Sequence, residues 1–238
     1  MSETSSREGP ARRVRIAIDG PAASGKSSTA HWVAERLGFL HVDSGALYRA
    51  ATASALEQSP DDAAWTEDSV LTAADRVALV VEGRVFVPTI GGRRADEAIR
   101  GPEVTSRVSR VAQMPRVRAW VNAQVRAAAE RHSVVADGRD IGTVVIPDAE
   151  LKVFLVADPW ERARRRLTQQ LGRRPSDAEI AEETARLVQR DAKDATQTVQ
   201  SKDAVLIDTT YITQADQVER IVALAHSVTQ HAGDSSAG

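Results

Sequence analysis

The chain has 238 residues, 42% of them hydrophobic, with a formal net charge of -2 and no cysteine. That length suits one α/β domain with an insertion, and the apolar fraction excludes wholesale disorder. The near-neutral charge argues against a nucleic-acid partner held by bulk electrostatics, and the missing thiols exclude disulfides, thiolate zinc sites and cysteine nucleophiles. Residues 1–12, rich in Ser, Glu and Arg, read as a disordered leader without the apolar core of a signal peptide. No apolar run approaches the length of a membrane span, so the expectation is a cytoplasmic protein with no membrane partner.

Val14 to Asp19 is a short, apolar, β-branched run and reads as a buried strand. Gly20-Pro21-Ala22-Ala23-Ser24-Gly25-Lys26-Ser27-Ser28 follows, fitting G-x-x-x-x-G-K-[ST], and an Ala-rich helical run from Ser28 to Leu37 stops at Gly38. Strand, glycine loop and helix in this order are the context of a P-loop. Its glycines let several N–H groups point inward, and the helix N-terminus adds unpaired donors, which together make a nest for the phosphates of ATP. Lys26 is placed to reach the β- and γ-phosphates, and the Ser27 hydroxyl to ligate Mg²⁺. The plain alternative, a glycine turn before Lys-Ser, lacks a reason for the flanking elements.

A second strand, Phe39 to Asp43, runs into a helix at Ser44, and a short helix is expected near Val70 to Ala74. Val77–Val81 and Arg84–Pro88 around Glu82-Gly83 read as a hairpin, with a third strand within 93–99, so 76–101 looks like a β-rich insertion. Helices are expected over Glu103–Val111 and Pro115–His132. Ser133 to Asp137 is a strand, and 138–143 a loop. Asp137 ends that strand like a Walker-B acid and is the second candidate Mg²⁺ ligand, beside the ordinary reading of a turn aspartate.

Leu151–Val156 is the next strand, and Asp158-Pro159 caps a helix over Trp160–Leu171. Ser176 to Glu179 is a capping box opening a helix to Asp194. The chain has four lysines against 27 arginines, and four of the arginines, Arg162, Arg164, Arg165 and Arg166, crowd one helix. Arginine grips phosphate at two points, so 160–196 reads as a helical lid in which Arg162, Arg165 and Arg166 offset charge on the transferring group. A solvated basic face is the plain alternative. Ala204–Asp208 is the last strand and Asp216–Thr229 the last helix, with 230–238 a mobile tail. Five strands separated by helices predict an α/β fold with a doubly wound, five-stranded parallel sheet of the P-loop NTPase type. Ligands of such sheets sit beyond the carboxyl ends of the strands, where the P-loop, Asp43 and Asp137 fall.

No Asn-Lys-x-Asp guanine reader is present, and the chain is short for a motor or transporter ATPase. A small kinase of phosphorylated or hydroxylated metabolites fits best. The residues resemble one family closely, bacterial cytidylate kinase, from about Arg13 to Ala225. The resemblance rests on the stretch from Ile18 to Ser28, on Asp43-Ser44-Gly45-Ala46-Leu47-Tyr48-Arg49, on Val108-Ser109 with Pro115-Arg116-Val117-Arg118, on the run from Asp137 through Gly138-Arg139-Asp140-Ile141-Gly142-Thr143 to Ala149, and on Arg190-Asp191 with Asp194. It implies transfer of the γ-phosphate of MgATP to CMP or dCMP by a monomer in pyrimidine metabolism, with 76–101 as the nucleoside monophosphate-binding insertion. Arg49 and Arg139 then grip the CMP phosphate, Ser109, Arg118 and Asp140 read the cytosine with Ser44 and Tyr48 nearby, and Arg190 and Asp194 meet the ribose. The family pattern R-D-x-x-D-x-x-R ends here in Gln197 instead of arginine, so one contact to substrate or lid is expected to be missing. Two other functions stay open at this point: a kinase of UMP or of a hydroxylated metabolite, and a catalytically weak nucleotide-binding regulator.

Overall fold

In the computed structural model, residues 13–234 are described; the expected leader, 1–12, lies outside them. The strands are β1 (Arg15–Asp19), β2 (Leu40–Asp43), β3 (Val77–Glu82), β4 (Val85–Ile90), β5 (Arg93–Arg94), β6 (Val134–Gly138), β7 (Leu151–Val156) and β8 (Val205–Asp208). The α-helices are α1 (Lys26–Leu37), α2 (Ser44–Gln58), α3 (Glu67–Ala74), α4 (Pro102–Val111), α5 (Pro115–Arg131), α6 (Pro159–Leu171), α7 (Asp177–Asp194) and α8 (Gln214–Asp234). All strands join one eight-stranded sheet ordered β3-β4-β2-β6-β1-β7-β8, with β5 paired to β4. The run β2-β6-β1-β7-β8 is parallel throughout, the five-stranded sheet expected from the sequence.

Side-chain alternation on the central strands explains why helices cover both faces. On β1, Ile16 and Ile18 enter one apolar cluster with Val135, Val153 and Leu155, covered by Val33 of α1 and Ile221 of α8. Ala17 faces the other way, with Val42, Val134 and Ala136, under Leu47 of α2 and Val117 and Val121 of α5. Strands apolar on both faces need helices on both faces, and this is the arrangement parallel sheets adopt. Helix α2 is sandwiched so tightly that Ala50, Ala51, Thr52, Ala53, Ser54 and Ala55 are all buried. Within that stretch Thr52 donates to the Tyr48 carbonyl at 2.8 Å and Ser54 to the Ala73 carbonyl of α3 at 2.7 Å.

Several boundaries differ from the sequence reading. The β-rich insertion does not stand apart, because β4 pairs parallel to β2 through His41 and Val85 and extends the central sheet. The third strand of that insertion is only Arg93–Arg94; the chain then turns into a single 3₁₀ turn, Ala98–Arg100, which buries Ile99. The expected loop after β6 is wound into a π-helical turn over Ile141–Val145. Helix α1 begins at Lys26, so the P-loop lysine sits in its first turn. Helix α8 continues past Thr229 to Asp234, and the rest of the expected tail, 235–238, lies outside the described residues.

Two strand-end residues set the geometry of everything above the sheet. Gly20 leaves β1 with φ +153, and a Cβ there would stand 2.3 Å from the Leu155 carbonyl oxygen. The P-loop therefore lies directly on the end of β7, a position open to glycine alone. Beside it, the buried Asp19 carboxylate accepts hydrogen bonds from the Ile141 and Gly142 N–H groups, each at 2.8 Å. One carboxylate thus ties the strand that launches the P-loop to the turn that follows Arg139 and Asp140. Burial pushes the Asp19 carboxyl up to about 6, although both backbone donors pull it down.

Gly20→Ala is expected to destabilise the fold by about 2 kcal/mol or more, since both the backbone angle and the Leu155 contact must be relieved; the denaturation midpoint measures this, and an unchanged midpoint excludes the close approach. For Asp19, the native state keeps its proton at pH values where the unfolded chain has lost it. The linked stabilisation is full below about pH 4, the value of an unperturbed carboxyl, and is lost as pH rises through the native pKa. The stability of the wild type relative to Asp19→Asn should therefore fall between about pH 4 and pH 7. A flat difference across urea titrations in that range would rule out the raised pKa.

Candidate active site

A cavity of about 210 Å³ opens over the carboxyl ends of β1, β2 and β6. From the P-loop it is lined by Ala22, Ala23, Lys26 and Ser27; from β2 and α2 by Asp43, Ser44, Tyr48 and Arg49; from β6 and its turn by Asp137, Arg139 and Asp140. Helix α4 contributes Ser109, α5 contributes Arg118, α6 contributes Arg166, and α7 with the turn after it contributes Arg190, Asp194 and Gln197. Residues from seven separate chain segments thus converge on one chamber, as the switch point of a doubly wound sheet predicts.

At the P-loop end, the Lys26 ammonium donates to the Pro21 carbonyl at 2.9 Å. Burial, reinforced by the repulsion of Arg139, pushes Lys26 down to about 7. An anion beside Lys26 would reverse that shift, so the group is built to meet negative charge. Ser27 donates to an Asp137 oxygen at 2.5 Å, and His41 bonds the other Asp137 oxygen at 2.8 Å. Burial disfavours a charged His41, but the hydrogen bond and charge of Asp137 outweigh it and hold the imidazole above its ordinary value. Asp43, the N-cap of α2, is raised by burial and by the nearby Asp137. Ser24 is buried and its hydroxyl has no partner; Gly25 takes φ 89 just before α1; Ser28 is exposed on the first turn of α1.

Opposite the P-loop, Arg49 is fixed by Thr105 at 3.0 Å and by the Ile99 carbonyl at 3.3 Å, which explains why the 3₁₀ turn at the end of the insertion matters to the site. Asp194 is shared by Arg139 at 3.5 Å and Arg190 at 3.8 Å, and the Nε groups of both arginines are buried without a hydrogen-bond partner. Burial and the charge of Arg139 push Arg190 down to about 10. Buried, under-compensated guanidinium donors are costly unless an anion completes them. Arg118 pairs with Asp140, donates to Gln197 at 2.7 Å and to the Ala112 carbonyl at 3.1 Å, and lies 6.0 Å over the Tyr48 ring. The Tyr48 hydroxyl is buried with no partner, and burial pushes it up to about 12. Ser44 donates to the Asp137 carbonyl at 2.8 Å and braces the end of β6.

The arginine cluster of α6 is divided. Arg166 lines the cavity and pairs with Glu183 of α7 at 3.1 Å. Arg162 does not reach the cavity: it is buried, donates to the Ala22 carbonyl and pairs with Asp191, each at 2.7 Å. Asp191 in turn accepts from the Ala22 N–H at 3.2 Å, so both polar groups of one P-loop residue are clamped by α6 and α7. Arg165 donates to the carbonyls of Thr209 and Thr210 beyond β8. The three arginines expected to offset charge on the transferring group are therefore split among the P-loop, the loop after β8 and the cavity. Lid and P-loop also share an apolar contact, Ala22 against Ala163, Ile180 and Leu187.

Sequence reasoning overlooked Asp19, His41, Asp191 and Glu183, which position other site residues. For Asp19 and His41 a signal existed, since each is a polar residue in a β-branched or apolar strand next to a motif. The position of Gln197, where an arginine contact is missing, has a partner of its own in Arg118.

The model of the cytidylate kinase family matches residues 16–227. A cytidylate kinase of Geobacillus kaustophilus is 43% identical over 222 residues, covering 90% of this chain and 97% of that protein. One of Oceanobacillus iheyensis is 40% identical over 221 residues, covering 89% and 93%. Among solved structures, a gluconokinase from Sinorhizobium meliloti aligns with a TM-score of 0.50 at 15% identity, covering 94% of this chain and 99% of that one, a likeness of fold only. With the family model spanning most of the chain and relatives this similar along nearly their whole length, the chain belongs to the cytidylate kinase family.

Proposed function

We propose that the protein transfers the γ-phosphoryl group of MgATP to CMP, and to dCMP, giving ADP and CDP or dCDP, as a cytoplasmic monomer of pyrimidine nucleotide metabolism. The observation that carries this reading is the pairing of a P-loop with a second anion pocket, Arg49 and Arg139, that leads to a carboxylate at Asp140. A phosphate held by the two arginines sets its base against Arg118, Asp140 and Ser109. The cytosine amino group donates, and a carboxylate accepts; uracil presents an oxygen there and repels it. Arg190 and Asp194 are assigned to the sugar.

The Mg²⁺ ion fits the residues present. The Ser27 hydroxyl and the Asp137 carboxylate are hard oxygen donors in contact at 2.5 Å. Among the described residues there is no group of three or more His, Cys, Asp or Glu able to hold a metal, which suits an ion that draws most of its ligands from phosphate and water. When bound, Mg²⁺ neutralises charge on the β- and γ-phosphates.

The chain's own residues do the rest. The P-loop N–H groups of 20–28 and Lys26 orient the triphosphate. Arg49 and Arg139 hold the acceptor phosphate, whose oxygen attacks the γ-phosphorus as the bond to the bridging oxygen breaks and ADP leaves. A phosphate monoester is already largely ionised at neutral pH, so no general base is required. Arg166 is the lid arginine assigned to the transferring group; Arg162 and Arg165 serve it indirectly by fixing the lid to the P-loop and to the loop after β8. The buried cationic wall offsets the repulsion between two polyanions, and the lid excludes water.

Two variants test the two halves of the cleft. Lys26→Ala is expected to fold and to lose about a hundredfold or more in kcat, the scale for removing a positioned charge from the transition state; a folded variant with near-normal turnover would place the ATP site elsewhere. Asp140→Ala should raise KM for CMP by at least about tenfold, leave KM for ATP nearly unchanged and narrow the gap between CMP and UMP. The readout is ADP formation with CMP, dCMP, UMP and AMP offered in turn, and an unchanged CMP preference in this variant would make Asp140 structural.

A further inference from the structure

The turn that follows Asp140 is short. Ile141–Val145 is a single π-helical turn. From within, it is closed by the Asp140 carbonyl, which accepts from the Val144 and Val145 N–H groups at 2.9 and 3.1 Å, and by the Ile141 carbonyl, which accepts from Ile146 at 2.7 Å. One turn with so few internal bonds is marginal without support from the rest of the fold.

That support reaches both of its ends. At the start, the Asp19 carboxylate takes the Ile141 and Gly142 N–H groups. At the end, Arg126 of α5 donates from Nε to the Val145 carbonyl at 2.8 Å and from Nη2 to the Val144 carbonyl at 2.7 Å. An anion thus meets the free donors and a cation the free carbonyls, the signs that suit the two ends of a helical turn. Between them, Ile141 and Val145 enter the apolar cluster that holds Val117, Val121 and Val125 of α5. The Asp140 side chain pairs with Arg118, about two turns back along the same helix. Helix α5 therefore grips this segment twice, by Arg118 at the carboxylate and by Arg126 at the far carbonyls. Arg126 itself stands outside the cavity.

We propose that Arg126 is a positioning residue for substrate choice: by holding the Val144 and Val145 carbonyls it fixes, together with Asp19, the turn that sets the Asp140 carboxylate against the substrate base. This rests on reading the cleft as the CMP site. Without the guanidinium the two carbonyls lose their donors and the turn is held by charge from Asp19 alone. Asp140, whose own carbonyl closes the turn, is then free to shift relative to Arg118 and Ser109.

The test compares Arg126→Met, which keeps the stem without a donor, and Arg126→Gln, whose amide lacks the reach, with Arg126→Lys, which keeps one donor and the charge. The first two are expected to raise KM for CMP and for dCMP alike, since both carry cytosine, by about three- to tenfold. The CMP-over-UMP ratio of kcat/KM should shrink by a similar factor, the scale of a displaced hydrogen bond to a charged group. KM for ATP should stay near wild type, and Arg126→Lys should fall between the two. In an Asp140→Ala background, Arg126→Met should leave the remaining base preference unchanged, because both changes act through one carboxylate. The proposal is overturned if either folded variant keeps the wild-type KM for CMP and base preference, or if CMP and UMP are weakened by the same factor. Failure of both to fold would make Arg126 a brace of the core and overturn it as well. Absence of CMP-dependent ADP formation by the wild type is a different result, and it would overturn the CMP-site reading on which the proposal stands.

Discussion

Lys26, Arg49, Arg139, Arg166 and Arg190 face one small chamber, and their charges are matched only in part by Asp43, Asp137, Asp194 and Glu183. Burial and mutual repulsion depress Lys26 and Arg190, and two buried guanidinium Nε groups stand without hydrogen-bond partners. A protein holds such an arrangement only if the surrounding fold enforces it, since each uncompensated buried charge costs stability. The chamber is thus strained toward anions before any arrive. Two phosphate-bearing ligands repel each other in water; here both meet a wall whose own repulsion they relieve.

The sheet supplies the enforcement. The parallel register sets Asp19 of β1 beside Gly138 of β6, and Asp43 of β2 beside Asp137. Three consecutive strand ends therefore deliver the P-loop, the cap of α2 and the Arg139–Asp140 segment to one level. Asp19 fastens the last of these by the Ile141 and Gly142 N–H groups, and Ser27, His41 and Ser44 fix Asp137 at its two carboxylate oxygens and its carbonyl. The extension of the sheet by β4 carries the insertion to the same edge. Its final 3₁₀ turn then supplies a carbonyl to Arg49.

Helices α6 and α7 are bound to the P-loop more firmly than a row of arginines suggests. Arg162 and Asp191 clamp Ala22, Ala163 packs on it, and Arg165 holds the loop beyond β8. Only Arg166 is left to face the chamber from α6. Ala22 of the P-loop is therefore tied directly to α6 and α7, and Arg118 on α5 is tied to the turn after α7 through Gln197.

Much of this was legible in the sequence because it is local. The G-x-x-x-x-G-K-S spacing, the β-branched run before it, the capping box at Ser176 and the Gly83 turn are each determined within a few residues, by backbone dihedrals and hydrogen bonds between near neighbours. The short apolar runs of β1 and β6 likewise marked them as strands. Helical spacing alone could not say where Arg162, Arg165 and Arg166 point, because the Ala22 carbonyl, the Thr209 carbonyl and the Glu183 carboxylate that hold them come from other segments of the chain. The same limit hid the pairing of the β3–β4 hairpin with β2 and the roles of Asp19 and His41, whose partners, the turn after β6 and Asp137 on β6, are neighbours only in the folded sheet. For Gln197 the sequence marked a missing arginine, and the tertiary structure alone showed that a neutral acceptor now meets Arg118. Hydrogen bonds between distant segments depend on the angle and register at which elements pack, and those are decided by the whole core rather than by any one stretch of it.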